Sequence, residues 1–392
     1  MFLNYKYRLI PNKRQHRALA DICESQRQLY NAALEERIDC YRKTGKGRSY
    51  FDQCKAVTEC RHALPEMGAL PANLQRWTLK RLDDAYAGFF RRCKTNGKAG
   101  FPRFRGKGWW SSFGFATFSG VEFDGKRLRF KGFPGGLRVH ICRPLPQDCR
   151  ITSCVFNRDH KGWNVCFQIE VAAAEKKAIA SEVGIDVGLI AFAYQSDGVA
   201  IPAPQFARRA EREMRRRQRA LARCKNGSNC RKKAKERVAR LHRKIVNVRT
   251  TWLHQQSARI VNSYDLIAVE DLKVANMVRN GHLARSISDA SWSTFTNMLS
   301  YKAEKAGGTF VKVDPRMTSQ ICSGCGVVVK KGLADRVHSC PDCGLTLDRD
   351  HNAAINILHR AGNRPGAANV IQVWDERWPG NMPEAPARGR VV

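Results

Sequence analysis

The chain runs to 392 residues with 69 Lys and Arg against 35 Asp and Glu, a formal charge of +34 that calls for a polyanionic partner, nucleic acid above all. Hydrophobic residues make up 43%, enough for buried cores and against wholesale disorder. No apolar run approaches the roughly 18 residues of a membrane span, and the opening MFLNYKYRLIPNKR lacks a signal-peptide core, so a cytoplasmic protein that stays off the membrane is expected.

The length suggests two or three domains. Residues 2–10 alternate as a strand stopped by Pro11. Apolar residues then recur at helical spacing over 15–41, Ser49 caps a second helix through Leu64, and a third runs over 72–93. Residues 11–95 therefore read as a helical bundle. After the basic loop KAGFPRFRGKG come short alternating runs at 121–130, 136–142, 151–156 and 163–172, split by Asp124-Gly125, Pro134-Gly135-Gly136 and Lys161-Gly162. They predict a small antiparallel β-barrel or sheet that the opening strand joins, which makes the bundle an insertion.

A third regime starts near Glu182, where SEVGIDVGLIAFAYQSDGVA reads as strand, turn and strand. Residues 206–249 hold 18 Lys and Arg against 3 Glu, with apolar residues at helical spacing and a break at Lys225–Asn229. This predicts a helical hairpin with basic faces that contacts nucleic acid. YDLIAVEDL (264–272) reads as a strand ending in acids, 292–306 as a helix and 309–314 as a strand; residues 362–392, with four prolines and little periodicity, read as a disordered tail.

Of 15 cysteines, eleven are scattered and four form a pattern: Cys322-x-x-Cys325 and Cys340-x-x-Cys343, separated by 14 residues. Two such knuckles present four thiolates to one ion at about 2.3 Å and leave no open coordination position, which predicts a structural Zn²⁺ in a protein with otherwise reduced thiols.

Acids on apolar strands stand out in so basic a chain. Asp186 lies within VGIDVG, Glu270 ends LIAV, and Asp348 and Asp350 sit where a strand or loop gives way to a helix. A carboxylate buried there unpaired is costly, and divalent metal offsets the cost. Three converging carboxylates would hold two Mg²⁺ ions roughly 4 Å apart, suited to hydrolysing a phosphodiester. The order Asp, Glu, Asp is ribonuclease-H-like and disfavours a cut-and-paste transposase, whose last acid is usually Glu. No pair of histidines flanks a single apolar residue, so a tyrosine relaxase-type site lacks its ligands.

The stretches VGIDVGLIAFAYQSDG, RRRQRALARCKNGSNCRKKAKERVARLHRKIVNVRTTWLHQ, LIAVEDLKVANMVRNGHLARSISDASWSTF, TSQICSGCGVVVKK and CGLTLDRDHNAAINIL follow one another over nearly all of 180–360. Together they resemble the TnpB (OrfB) family of insertion sequences, related to compact type V CRISPR nucleases; YKYRLIP and GFPRFR match in layout. The resemblance implies an α+β multidomain fold. A wedge-like β-barrel (1–10 and 96–172) carries a helical recognition domain (11–95), and an RNase H-like (RuvC) α/β nuclease domain (173–318 and 345–361) carries a zinc ribbon (319–344). It implies an RNA-guided DNA endonuclease that cuts double-stranded DNA beside a short flanking motif, with a guide RNA and target DNA as partners and no oligomeric state specified. A silent guided repressor or an unguided transposase are the alternatives; the presence of all three acids favours cutting.

Carried over, the catalytic and Mg²⁺-binding residues are Asp186, Glu270 and Asp350, with Asp348 the competitor, and Ile190 departs from the basic residue common in relatives. Guide or target contacts are expected from Arg103 and Arg105 and from Arg215, Arg216, Arg219, Arg231, Lys232, Lys233, Arg240 and Arg243. Residues reading the flanking motif are sought among Ser49, Tyr50, Asn73, Gln75 and Thr78, whose amides and hydroxyls can address base edges. Phe104, Trp77 and Phe89 could stack on bases, though the last two sit on an apolar helix face and are expected in the core.

Overall fold

Phe2–Ile10 forms strand β1, whose Leu3, Tyr5, Tyr7 and Leu9 alternate into the core while the residues between face out. The computed structural model describes residues 1–95, 99–159, 161–332 and 335–362; the expected disordered tail lies, apart from Gly362, outside these. Two compact units emerge, Met1–Ala172 and Ala173–Val392.

In the first unit four helices follow β1: α1 (Lys13–Thr44), α2 (Tyr50–Ala63), α3 (Pro65–Gly68) and α4 (Ala72–Lys94). Reciprocal side-chain and backbone hydrogen bonds start α1 at Asn12/Gln15 and α2 at Ser49/Asp52. Gly45, at φ 68°, ends α1 in the left-handed conformation that costs a glycine least. Leu19, Tyr30, Leu34, Leu74, Leu79 and Leu82 form the seam between the long helices. Strands β2 (Ser112–Phe115), β3 (Val121–Phe123), β4 (Arg127–Phe130), β5 (Leu137–His140), β6 (Arg150–Asp159) and β7 (Gly162–Glu170) complete an antiparallel sheet in the order β2-β6-β7-β1-β5-β4-β3. The helices are thus interposed between β1 and the rest of its sheet. Strands β2 and β3 end the sheet, yet Phe115 of β2 packs on Phe130 of β4, and Phe123 of β3 on Phe167 of β7. The sheet therefore coils around one aromatic core. The single run read at 121–130 is a hairpin of two strands, and β2, hidden in a glycine-rich stretch, had no alternation to betray it.

The second unit opens with β8 (Glu182–Val187), β9 (Ala191–Gln195) and β10 (Ala200–Pro202), then helices α5 (Phe206–Arg209), α6 (Glu211–Ala222) and α7 (Asn229–Ser263). Strand β11 (Leu266–Glu270), helices α8 (Val274–Met277), α9 (Ala284–Ala290) and α10 (Trp292–Lys305), and strand β12 (Thr309–Val313) come next. A short pair, β13 (Val337–Ser339) and β14 (Thr346–Asp348), leads into α11 (Arg349–Ala361). Helix α7 runs well past the basic hairpin expected to end at 249, because its last turns exchange charge for Leu253, Ser257 and Ile260, which pack inward. The pair β13–β14 likewise runs beyond residue 344.

The five-stranded sheet has the order β10-β9-β8-β11-β12, with β11 parallel to both β8 and β12 and β9 antiparallel to β8. Its two faces are chemically distinct. Val183, Ile185, Ile267 and Val269 meet Leu253 and Ile260 of α7 and Trp292, Phe295 and Leu299 of α10. The opposite face sends Leu266, Ala268 and Val313 against Ile357 of α11. There α11 crosses β8 at contact distance: a Cβ on Gly184 would lie 2.1 Å from the Ala354 carbonyl oxygen, so no other residue fits. Among the described residues no helix is long and apolar enough to cross a membrane.

Candidate active site

Strand geometry alone brings two of the acids together. Ala268 of β11 pairs with Gly184 of β8, both facing α11, and alternation puts Glu270 and Asp186 on that same face two residues further on. Helix α11 supplies the third. Gly184 touches the helix at Ala354, so one turn back toward its N-terminus Asp350 reaches the strand end, with Oδ2 3.8 Å from the Cβ position of Gly188. The competitor, Asp348, is exposed and occupied: it caps α11, its Oδ1 accepting the Asp350 N–H at 2.8 Å. All three convergent carboxyls are half-buried.

The charges register this crowding. Burial pushes Asp186 well above the usual carboxylate range, the like charges of Glu270 and Asp350 push it further, and Arg349 pulls the other way. Burial also raises Glu270, against the Thr318 hydroxyl, which donates to Oε1 at 2.6 Å, and the nearby Arg360. Arg349 Nε lies 3.3 Å from Asp350 Oδ1. Carboxylates gathered at one strand end, with one cation beside them, supply the oxygen donors that hard divalent metal takes, though they are less tightly grouped than the cysteine sulfurs. Beyond the strand end, Gly188, Leu189, Phe206, Trp252, Arg208 and Arg285 line a cavity of about 300 Å³ that mixes aromatic faces with guanidinium groups. Ile190 is exposed in the β8–β9 turn.

The four patterned cysteines form, among the described residues, the one cluster of His, Cys, Asp or Glu tight enough to enclose a single ion, all sulfurs lying within 4.8 Å of one another. Cys322 and Cys343 sulfurs are 3.6 Å apart and those of Cys325 and Cys340 3.5 Å. A tetrahedron with metal–sulfur bonds of about 2.3 Å has edges of about 3.8 Å, so the cage fits zinc. The backbone amide of Cys343 pulls the Cys340 thiol down to about 7, whereas Cys325, despite the Val327 amide, is pushed up to about 12 by burial and its hydrogen-bonded neighbouring thiols.

Three residues in this region escaped the sequence reading. Asn352 and Asn356 are fully buried on α11 and donate to backbone carbonyls of residues 318–321, and Thr318 touches Glu270. The legible signal was a pair of asparagines four apart, in line with the apolar Ala353, Ala354 and Ile357 of the same helix, which must find partners inside.

The basic candidates separate by what already holds them. Arg216, Arg219, Lys232 and Lys233 are exposed on the α6–α7 hairpin, and Arg215 and Arg240 are exposed but lie near Glu211 and Glu236. Arg243 is half-buried. Arg231 differs from the expectation: its guanidinium donates to the carbonyls of Leu221 and Cys224, closing the end of α6. In the first unit Arg103 and Arg105 are exposed, the latter set over the Tyr30 ring.

The flanking-motif candidates are largely spent within the fold. Gln75 and Thr78 are buried and bonded to Arg61 and Gln26, Ser49 caps α2, and Asn73 holds Thr117 and Ser119; the side chains satisfy the helical bundle rather than a base edge. Tyr50 lies edge-on to Phe51 beneath Lys80. Trp77 packs over Gly114 and Phe89 beside Phe101, while Phe104 is exposed, as is Trp109 at 81%, which the sequence did not single out.

Comparison with known proteins supplies the kinship. The OrfB/IS605 family model, described as "Probable transposase", matches residues 164–281; a "Cas12f1-like, TNB domain" model matches 292–357 and a "Helix-turn-helix domain" model 1–46. A Streptomyces pristinaespiralis protein named "Putative RNA-guided DNA endonuclease" is 33% identical over 90% of this chain and 88% of its own. InsQ of Escherichia coli, named likewise, is 29% identical over 90% and 91%. The fold is that of the protein in a Cas12f1–sgRNA–target DNA complex, at a TM-score of 0.58 and 14% identity over 91% of this chain and 84% of the other. With matched models spanning both the carboxylate and the cysteine segments, and relatives alike over almost their whole length, the chain belongs to the TnpB (OrfB) family.

Proposed function

We propose that the protein is an RNA-guided DNA endonuclease, cutting double-stranded DNA beside a short flanking motif by metal-dependent phosphodiester hydrolysis. The observation that carries this reading is the convergence of Asp186, Glu270 and Asp350 on one face of a parallel strand pair under the first turn of α11. The names of its relatives support guided cutting. On this reading the second unit is a RuvC-type nuclease domain (173–318 and 345–361) with a zinc ribbon whose Cys322, Cys325, Cys340 and Cys343 hold Zn²⁺. The first is a wedge-like domain (1–10 and 96–172) bearing the helical recognition domain (11–95).

Asp186, Glu270 and Asp350 would hold two Mg²⁺ ions, which when bound supply an activated water and a counter-charge for the leaving oxygen. The chain's own part is to gather the carboxylates, to aim Glu270 through Thr318, and to balance charge through Arg349. Sequence selection falls to pairing between guide and target strand, while the protein reads duplex shape and the flanking motif.

The α6–α7 hairpin is proposed to grip phosphate. Changing Arg212, Arg215, Arg216, Arg219, Lys232 and Lys233 to Gln should flatten the slope of log K against log salt by up to about 0.9 per lost contact on duplex DNA. A slope equal to that of the unaltered protein would put the hairpin in solvent.

The partner is tested by expressing the gene with several hundred flanking bases and sequencing the RNA that co-purifies. One discrete species ending in a variable segment is expected. Heterogeneous fragments with no dominant species would overturn the guided reading and leave unguided DNA cutting or joining.

A further inference from the structure

The segment between β12 and the first cysteine knuckle is held from two sides. From α11, Asn352 and Asn356 each donate to the Ile321 carbonyl at 2.7 Å, Asn356 also reaches the Thr318 carbonyl at 2.8 Å, and the Ser323 N–H donates to Asn352 Oδ1 at 2.9 Å. From β11, Glu270 Oε1 accepts the Thr318 hydroxyl. That hydroxyl has one proton and two acceptors in reach, Glu270 at 2.6 Å and the Pro315 carbonyl at 3.2 Å; the shorter bond, to an ionisable oxygen, takes the proton. Thr318 is itself 4% exposed, so its side chain has no alternative partner in solvent. The preceding Met317 is held at φ 63°, a left-handed conformation that a non-glycine residue keeps only where its surroundings over-determine it. The Met317 carbonyl in turn accepts from the N–H groups of Gln320 and Ile321, both at 3.0 Å, closing the turn.

The same helix therefore carries one carboxylate of the site in its first turn and fixes the orientation of another two turns later. Asp350 sits on α11 directly; Glu270 is reached from α11 through Asn356 and the Thr318 backbone. The anchored stretch runs straight into Cys322, whose own N–H is bonded within the knuckle to the Val327 carbonyl at 2.9 Å.

We infer that Thr318 is a positioning residue for Glu270, fixing which way its oxygens face, and that Asn352 and Asn356 lock Thr318 to the cysteine knuckle, so that the order of the zinc module sets the geometry of the divalent-metal site. This rests on the reading of Glu270 as a divalent-metal ligand. Arg360 and Asp314 are the other charges bearing on Glu270, and Arg360 Nη1 donates to the Asp314 carbonyl at 2.6 Å. A valine at 318 keeps the shape and removes the donor, freeing the carboxylate to turn about its last torsion; a serine keeps the donor.

The test measures Mn²⁺ binding to zinc-loaded, full-length protein by electron paramagnetic resonance, with zinc content and melting temperature followed in every variant. Thr318→Val should bind Mn²⁺ about 10- to 100-fold more weakly while keeping one zinc per chain, and Thr318→Ser should restore the affinity. Wild-type affinity in Thr318→Val, equal weakness in Thr318→Ser, or loss of zinc from Thr318→Val would each overturn the inference. Glu270→Gln serves as the separate control: if it binds Mn²⁺ as the wild type does, the reading of the site itself fails, whatever Thr318 does.

Discussion

Replacing Asp186 by Asn should reduce DNA cutting by at least about 100-fold while leaving RNA and DNA binding intact. The side chain projects from a sheet end toward two other carboxylates, so its loss removes a metal donor, and an aspartate exchanged for asparagine takes away no cationic phosphate-binding group. Stability should move the other way. In the unfolded chain this carboxyl ionises in the ordinary aspartate range; in the folded chain burial and two like charges hold the proton to higher pH. Between those values the folded state carries the extra proton, so stability falls as pH rises through the window, and the full cost is borne once the folded group ionises. The metal-free Asn variant should therefore melt at or above the wild-type temperature. Metal competes with that same proton, so cutting by the wild type should strengthen as pH rises through the raised value. Cutting by Asp186→Asn at the wild-type rate would remove Asp186 from the site; a lowered melting temperature with lost binding would make it merely structural.

The second large effect is expected at Cys325. With four sulfurs 3.5–3.6 Å apart in pairs and little apolar core between the knuckles, the module depends on its ion, and zinc held by four thiolates contributes on the order of 10 kcal/mol. Cys325→Ser should lose zinc, open residues 321–347 to protease and abolish cutting, although the cysteines belong to a separate cluster from the carboxylates. The route is the asparagine and threonine bonds: once the knuckle is free, Thr318 no longer holds Glu270. Chelating zinc from the wild type should likewise weaken Mn²⁺ binding to the level of Thr318→Val. A zinc-free protein that binds Mn²⁺ and cuts normally would separate the two centres.

How much of this was legible beforehand depended on the range of the interaction. The helix start at Ser49 and the twin CxxC are written in residues three apart, and periodicity carried the long helices and most strands, whereas the cap at Asn12 was seen only in the structure. Asp186 and Glu270 stood out because a carboxylate within an apolar strand contradicts its surroundings. Contacts across tens of residues left no such trace: Asn356 meets the Thr318 carbonyl 38 positions away, and a threonine hydroxyl in TSQIC looks like any other. Arg231 shows the converse failure, since a basic residue in a basic run was read as phosphate-binding although its guanidinium closes a helix end. For Asp348 and Asp350, two apart, the sequence favours Asp350, and the structure adds that Asp348 is the one that caps α11.

The central claim is that an RNA held by this protein chooses where DNA is cut. The direct measurement is cleavage of supercoiled plasmids in Mg²⁺ by the purified ribonucleoprotein, after the variable end of its RNA has been rewritten to match a new plasmid site. The account predicts a double-strand break at the new site beside the flanking motif, none at the old one, and none with Asp186→Asn. Breaks whose position ignores the rewritten RNA, or intact plasmid when RNA and target match, would contradict it.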